Sequence, residues 1–240
     1  IEYNFGIKNY KFTSYREHIT DLNNAIEKND ENKKVLIKAR GNAKNTNRNF
    51  QIISNLNKNK VTIVLTTYNR PKFLILALDS ILRQTFKNFR LVILDNGSDN
   101  ETYKLINSYD DKRIYYIKSD TNNLDFLNKA FTFTKLKYLM ITHDDDIMEE
   151  TLIERHIKKM DSNDEIGLIS SSINLIDKEG DKLNKVRPRI KKDKNWSKNE
   201  FIEEYFLRGD IIPCPSSMFR SSVIIENNFN YEWKVGPAVD

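Results

Sequence analysis

The chain has 240 residues, of which 39% are hydrophobic and 30% are charged, a balance that suits a globular protein with a core of its own. Its apolar runs, such as Val61–Leu65, are far shorter than the roughly 20 residues that a membrane-spanning helix requires. The single cysteine, Cys214, excludes an internal disulfide and a cysteine metal cluster. We expect Cys214 to be a buried, inert thiol in a protein of the reducing cytoplasm.

The net charge of +5 is concentrated near the N-terminus, where residues 1–60 carry 12 basic against 6 acidic residues. Ser14 and Glu17 match a capping box that would open a helix from about Tyr15 to Glu27. We expect residues 1–59 to form a basic, mainly helical extension. Its charge predicts an anionic partner, such as a membrane surface to which the protein binds peripherally, and the alternative is a solvated Lys-rich surface.

From residue 60 onwards, short apolar strands alternate with helical patterns. The predicted strands are Val61–Thr66, Phe89–Leu94, Arg113–Ile117 and Tyr138–Thr142. The helices between and after them begin near Pro71, Glu101, Leu124 and Glu150. This alternation predicts an α/β fold with a mostly parallel sheet flanked by helices, and places functional groups at the carboxyl ends of the strands.

The pattern is looser after Gly167. A strand is predicted at Leu168–Leu175, and a basic loop at Lys185–Lys194, which holds six basic residues against one acidic. Ser197 and Glu200 form a second capping box, which predicts a helix that ends before Gly209. Pro213–Phe219 has the composition of a strand or extended loop.

Three consecutive carboxylates, Asp144, Asp145 and Asp146, follow the fourth predicted strand. Adjacent carboxylates repel one another, and a hard divalent cation such as Mg²⁺ or Mn²⁺ would offset that repulsion while bridging to a phosphate. The alternative is a solvated run of acidic residues at a helix start, where negative charge suits the helix dipole.

Two further polar clusters end the first and second strands. Thr66–Pro71 carries hydroxyls and an aromatic ring that suit a nucleoside pocket, or else caps the helix at Pro71. Asp95–Asp99 places Asp95 at the strand end, where it could contact a base, or else forms a simple turn. The chain lacks the glycine-rich fingerprints of dinucleotide-binding and P-loop proteins.

Four motifs in order resemble glycosyltransferase family 2: Thr66–Pro71, Asp95–Asp99, Asn122–Asn128 with Ala130, and His143–Asp146. The resemblance covers roughly residues 60–240. It implies the Rossmann-like nucleotide-sugar fold called GT-A, and hence a glycosyltransferase domain over residues 60–240.

The resemblance also implies roles for individual residues. A nucleoside diphosphate sugar, with UDP as the expected nucleotide, would be bound by Thr66, Tyr68, Asn69, Arg70, Asp95 and Asp144. The metal ion, Mn²⁺ or Mg²⁺, would be held by Asp145 and Asp146. His143 stands where the family has the first acidic residue of its metal-binding motif, so the register of that motif is open. His143 is then either a metal ligand or a structural residue behind the ligands.

An inverting mechanism follows from the resemblance as well, with Asp240 as the catalytic base that takes the proton of the acceptor hydroxyl. The expected acceptor is a saccharide or a lipid-linked saccharide, in bacterial surface polysaccharide or lipopolysaccharide synthesis at the inner face of the membrane. No nucleic acid partner is expected. The alternatives are a non-catalytic domain that binds sugar nucleotides, or one module of a larger polysaccharide polymerase.

Overall fold

In the computed structural model of the protein, an eight-stranded sheet lies at the centre of the described residues. The structure describes residues 2–4, 10–11, 59–177, 180–188, 193–209 and 211–230. The strands of this sheet are β1 (Glu2–Asn4), β2 (Tyr10–Lys11), β3 (Val61–Thr67), β4 (Phe89–Asp95), β5 (Ile114–Lys118), β6 (Tyr138–His143), β7 (Leu168–Ile169) and β10 (Met218–Arg220). A separate hairpin pairs β8 (Ile173–Ile176) with β9 (Lys182–Arg187).

The strand order is β2-β1-β5-β4-β3-β6-β10-β7. The four central strands, β5, β4, β3 and β6, run parallel to one another. Antiparallel strands flank them on both sides, with β1 paired to β5 and β10 paired to both β6 and β7. The predicted α/β architecture with a mainly parallel central sheet is therefore confirmed.

Five α-helices and two 3-10 helices connect the described strands. They are α1 (Pro71–Leu82), α2 (Asn100–Asn107), a 3-10 helix (Leu124–Thr132), α3 (Leu152–Asp161), α4 (Lys198–Arg208), a 3-10 helix (Cys214–Ser216) and α5 (Ser221–Asn227). The predicted helix near Leu124 is thus wound more tightly than an α-helix. The capping box at α4 is confirmed, because Ser197 and Glu200 each accept a hydrogen bond from the other's backbone N–H.

Both faces of the central sheet are buried. On one face Ile63, Leu91 and Ile93 pack in a cluster that includes residues of α1 and α3. On the other face, a second cluster joins Val64 and Val92 to the Leu124–Thr132 helix and α5. The two-sided burial explains why β3 and β4 are continuous apolar runs in the sequence instead of alternating patterns.

Several regions differ from the predictions or lie beyond what the structure describes. The predicted strand at Leu168–Leu175 is divided between β7 and β8, which belong to different sheets, and residues 2–4 and 10–11 of the expected helical extension form the strands β1 and β2. Part of the predicted basic loop is the strand β9, in which Lys185, Val186 and Arg187 are exposed. Residues 12–58 lie outside the described ranges, so the helix from Tyr15 and the domain boundary at residue 60 stay predictions. Within the described ranges, no helix is both long and apolar enough to cross a membrane.

Gly97 lies where the loop after β4 passes close to the loop after β5. Its φ of +91° is in the left-handed region that favours glycine. A Cβ atom built at Gly97 would lie 2.6 Å from the carbonyl carbon of Thr121 and 2.8 Å from the backbone nitrogen of Asn122. The absence of a side chain at Gly97 therefore lets the two loops meet.

We predict that Gly97→Ala destabilises the protein more than Gly180→Ala does. Gly180 has a similar φ of +92° but open space where a methyl group would lie, so its substitution measures backbone strain alone, about 1 kcal/mol. Gly97→Ala should cost about 1–3 kcal/mol more, because backbone atoms must move apart. Urea unfolding of both variants measures the difference, and equal losses of stability would show that the loop contact is unimportant.

Candidate active site

The carboxyl ends of three parallel strands meet at one edge of the sheet. Thr66 of β3 is in register with His143 of β6, and Thr67 of β3 is in register with Asp95 of β4. The three polar clusters that follow these strands in the sequence are therefore neighbours in space. Their meeting confirms that the predicted motifs converge on one edge of the sheet.

Asp144 is almost fully buried, with 4% of its surface exposed. Its Oδ2 accepts hydrogen bonds from the Thr67 hydroxyl (2.7 Å) and from the Tyr68 backbone N–H (3.4 Å). Burial raises the pKa of Asp144, while the Thr67 hydrogen bond and the charge of Arg70 act in the opposite direction. Asp144 is thus held in one position by the end of β3.

Asp145 and Asp146 differ in their exposure. Asp145 has half of its side chain exposed, and its Oδ2 lies 2.8 Å from Nη1 of Arg70. Asp146 is half-buried, and its backbone N–H donates to the carbonyl of His143 at 3.4 Å. Burial raises the pKa of Asp146 to about 6, with His143 opposing the shift and the carboxylates of Asp145 and Asp144 adding to it. Asp145 is therefore the carboxylate of the three that is most accessible to a ligand.

The carboxylates fit a metal ion that is completed by a substrate. Among the described residues, no three His, Cys, Asp or Glu side chains form a ready-made metal site. Mg²⁺ in phosphate-binding sites is commonly held by one or two carboxylates together with substrate phosphates and water. An exposed Asp145 beside the fixed Asp144 and half-buried Asp146 matches that requirement, because two accessible carboxylates would leave most coordination positions to water and a substrate phosphate.

His143 contacts protein groups through both ring nitrogens. Its Nδ1 lies 2.8 Å from the hydroxyl of Thr66, and its Nε2 lies 3.5 Å from Sγ of Cys214. These contacts favour the structural role of His143 over the ligand role. Cys214 is half-buried, so the prediction of a fully buried thiol is wrong. Its contact with His143 places the thiol beside the acidic cluster.

Asp95 is fully buried at the end of β4. Its Oδ1 accepts a hydrogen bond from the Ser98 N–H at 2.7 Å, and its Oδ2 accepts one from the Tyr116 hydroxyl. Burial raises the pKa of Tyr116 and the hydrogen bond to Asp95 adds to the shift, so the phenol remains a donor. These contacts give Asp95 a role in holding the loop, and its contact with a nucleoside stays a prediction.

Asn69 links the first polar cluster to the second. Its φ of +51° is unusual for a residue other than glycine. Its backbone N–H donates to the hydroxyl of Ser98, and its Oδ1 accepts from the N–H of Asp99, both at 2.8 Å. Tyr68 is 42% exposed beside it, so its ring is available to a ligand.

Two contributors to the site were missed in the sequence. Thr67, and not Thr66, is the hydroxyl that reaches Asp144, because successive side chains of a strand point to opposite faces. Asn96 is 5% exposed and joins the loops after β4 and β5: its amide donates to Oδ1 of Asn122 at 2.8 Å and accepts from the N–H of Asn123. A signal for Asn96 was present in the polar run after β4. Asp240 lies outside the described residues.

Comparison with known proteins agrees with this arrangement. Residues 62–224 match the description "Glycosyl transferase family 2". An uncharacterised glycosyltransferase of the archaeon Methanocaldococcus jannaschii is 32% identical over 179 residues, which are 72% of this chain and 60% of the relative. A second relative, from Rickettsia prowazekii, is 28% identical over 71% of this chain and 55% of its own length.

Solved structures of Staphylococcus aureus TarS share the fold at 18% identity or less. The structure of TarS residues 1–349 aligns with a TM-score of 0.56, over 75% of this chain and 52% of that fragment. The same protein in complex with UDP aligns with a TM-score of 0.53 at 16% identity, over the same shares of both chains.

The chain thus spans little more than half the length of these two relatives. The matched region, residues 62–224, includes β3, β4 and β6 and the polar groups at their carboxyl ends. On this evidence, the chain belongs to glycosyl transferase family 2.

Proposed function

We propose that the protein transfers a sugar from a nucleoside diphosphate sugar to an acceptor hydroxyl with the help of a divalent metal ion. The main support for the proposal is the exposed carboxylate of Asp145, which lies beside the buried Asp144 at the carboxyl edge of the parallel sheet in a member of this family. UDP is our proposed nucleotide. It is supported by the fold that the chain shares with TarS, which has been crystallised with UDP and with UDP-GlcNAc.

Asp145 and Asp146 would hold Mn²⁺ or Mg²⁺, and Asp144 would keep their loop in place through its hydrogen bonds to Thr67 and Tyr68. When bound, the cation would neutralise the negative charge that develops on the leaving diphosphate. Thr66, Tyr68, Asn69, Arg70 and Asp95 complete the proposed donor site. Of these, Tyr68, Asn69 and Arg70 are exposed. Asn69 is engaged by the loop after β4 through Ser98 and Asp99, so we assign the direct contacts with the donor to Tyr68 and Arg70.

Transfer would proceed with inversion, by in-line attack of the acceptor hydroxyl on the anomeric carbon. Asp240 would accept the proton of that hydroxyl as the bond to the sugar forms and the bond to the diphosphate breaks. The acceptor would be a saccharide or lipid-linked saccharide of a bacterial surface polymer, met at the cytoplasmic face of the membrane. The basic segment before residue 60 would favour that location by attraction to anionic lipids.

A first experiment tests the metal ligand. Asp145→Asn should abolish the Mn²⁺-dependent part of UDP binding, because a neutral amide is a much poorer ligand for a hard cation. Isothermal titration calorimetry with and without Mn²⁺ measures the effect. Asp110→Asn is a matched control, since Asp110 is an exposed carboxylate before β5, at the opposite edge of the sheet.

The two variants should unfold at similar temperatures. Metal-dependent UDP binding that survives Asp145→Asn would refute the assignment of Asp145. A protein that binds no nucleotide at all with Mn²⁺ would refute the proposed donor class.

A second experiment separates the two roles of Asp95. If Asp95 contributes to nucleoside selection, Asp95→Asn should weaken UDP binding and reduce the preference for UDP over GDP, since an amide offers a donor where the carboxylate only accepts. Tyr116→Phe is the control, because it removes the hydroxyl that binds Oδ2 and leaves the carboxylate in place. Similar losses of stability in both variants, with an unchanged nucleotide preference, would leave Asp95 a purely structural residue.

A third experiment tests the catalytic base. Asp240→Asn should lower the rate of sugar transfer by about 100-fold or more, the scale expected for loss of a general base. UDP binding should stay near that of the unaltered protein, because the proposed role concerns the acceptor proton alone. Transfer at a normal rate would exclude Asp240. Nucleotide binding with neither donor hydrolysis nor sugar transfer would instead favour the non-catalytic alternative. Donor hydrolysis without any transfer to saccharide acceptors would favour a module of a larger polymerase.

A further inference from the structure

Arg70 is the cation that neutralises the acidic cluster within the described part of the chain. Its Nη1 lies 2.8 Å from Oδ2 of Asp145 and 3.4 Å from Oδ1 of Asp144, so one nitrogen bridges two carboxylates. This contact crosses from the end of β3 to the end of β6, which are neighbours in the sheet. Arg70 therefore occupies an oxygen of Asp145, which is one of the two carboxylates that we assign to the divalent cation.

The carboxylates need a counter-charge whether or not the donor is bound. Asp144, Asp145 and Asp146 are consecutive, and each raises the free energy of ionising the next. A guanidinium supplies one positive charge, and a divalent cation supplies two at a shorter distance. The two kinds of cation compete for Asp145, since both bind its ionised form.

The side chain of Arg70 is exposed enough to change its binding partners, although its backbone is held in place. The guanidinium is half-exposed, and ion pairs of this exposure contribute little to stability because water screens the charges. The backbone is held because Arg70 precedes Pro71 at the start of α1, and its carbonyl accepts the N–H of Leu74 at 3.0 Å. A planar guanidinium also suits phosphate oxygens, which it can bind through two nitrogens at once.

We propose that Arg70 is an exchangeable counter-ion, which neutralises Asp144 and Asp145 in the absence of donor and turns to the donor diphosphate when the metal ion is bound. The inference rests on the proposed function and adds to it a coupling between metal binding and nucleotide binding. Because Arg70 leaves the carboxylates only when a second anion is present, the metal ion should bind weakly alone and more tightly together with the nucleotide. Coupling of this kind is reciprocal, so the metal ion should raise nucleotide affinity by the same factor.

The test measures Mn²⁺ affinity directly, by electron paramagnetic resonance of the free ion, with and without UDP and with correction for Mn²⁺ that UDP binds in solution. For Arg70→Gln, Mn²⁺ alone should bind about fivefold more tightly than to the unaltered protein, the scale of one exposed ion pair. The extra affinity that UDP confers on Mn²⁺ should fall by about fivefold or more.

Arg83→Gln is the matched control, because Arg83 is an exposed arginine just past the other end of α1 and changes the net charge equally. Arg70→Lys keeps the charge, so it should leave Mn²⁺ alone bound weakly while losing part of the coupling to UDP. If Arg70→Gln and Arg83→Gln give the same Mn²⁺ affinity while UDP and Mn²⁺ still bind together, the inference fails and the proposed function stands. Failure of the unaltered protein to bind Mn²⁺ even with UDP would overturn both.

Discussion

The register of β3 with its two parallel neighbours is the constraint on which the site depends. Thr66 lies opposite His143 on one side, and Thr67 lies opposite Asp95 on the other. Because successive side chains point to opposite faces, the two threonine hydroxyls take different partners: Thr66 contacts His143, and Thr67 binds Asp144. A shift by one residue would exchange these partners and turn each apolar side chain of β3 into the other packed layer, so the packing of the core holds the register.

The buried and adjacent carboxylates at this edge of the sheet lower the stability of the folded protein. Burial of Asp144 and partial burial of Asp146 raise the pKa of both carboxyl groups, which means that their ionised forms are disfavoured there. Hydrogen bonds from Thr67 and Tyr68 offset part of this cost for Asp144, and Arg70 supplies a positive charge. Perturbed carboxylates gathered in this way are characteristic of functional sites, where affinity for a charged ligand has been favoured over stability.

A second set of contacts makes the loops around the site a rigid frame. Asn69 ties the loop after β3 to the loop after β4 through Ser98 and Asp99. Asn96 extends the frame to the loop after β5 through Asn122, at the point where Gly97 permits close approach of the backbones. The frame fixes backbone positions and leaves the side chains of Tyr68 and Arg70 exposed, so a donor would meet prearranged loops with two adjustable side chains.

The sequence by itself determined the fold class and the place of the site. Apolar runs such as Val61–Leu65, which alternate with helical patterns, require a sheet covered on both faces, and parallel strands bring their carboxyl ends to one edge. The motifs at Thr66–Pro71 and His143–Asp146 also indicated the family, since their order and spacing are visible without a structure.

The tertiary structure alone decided what each polar side chain does. The burial of Asp95 with Tyr116, the choice of Thr67 over Thr66 as the partner of Asp144, and the strand β9 within a basic segment all depend on contacts between distant residues. Local patterns do not specify such contacts, because the partner of a polar group is set by register and packing across the sheet. The bridge from Arg70 to Asp144 and Asp145 arises in the same way: it joins residues more than 70 positions apart, which only the pairing of β3 with β6 brings within reach.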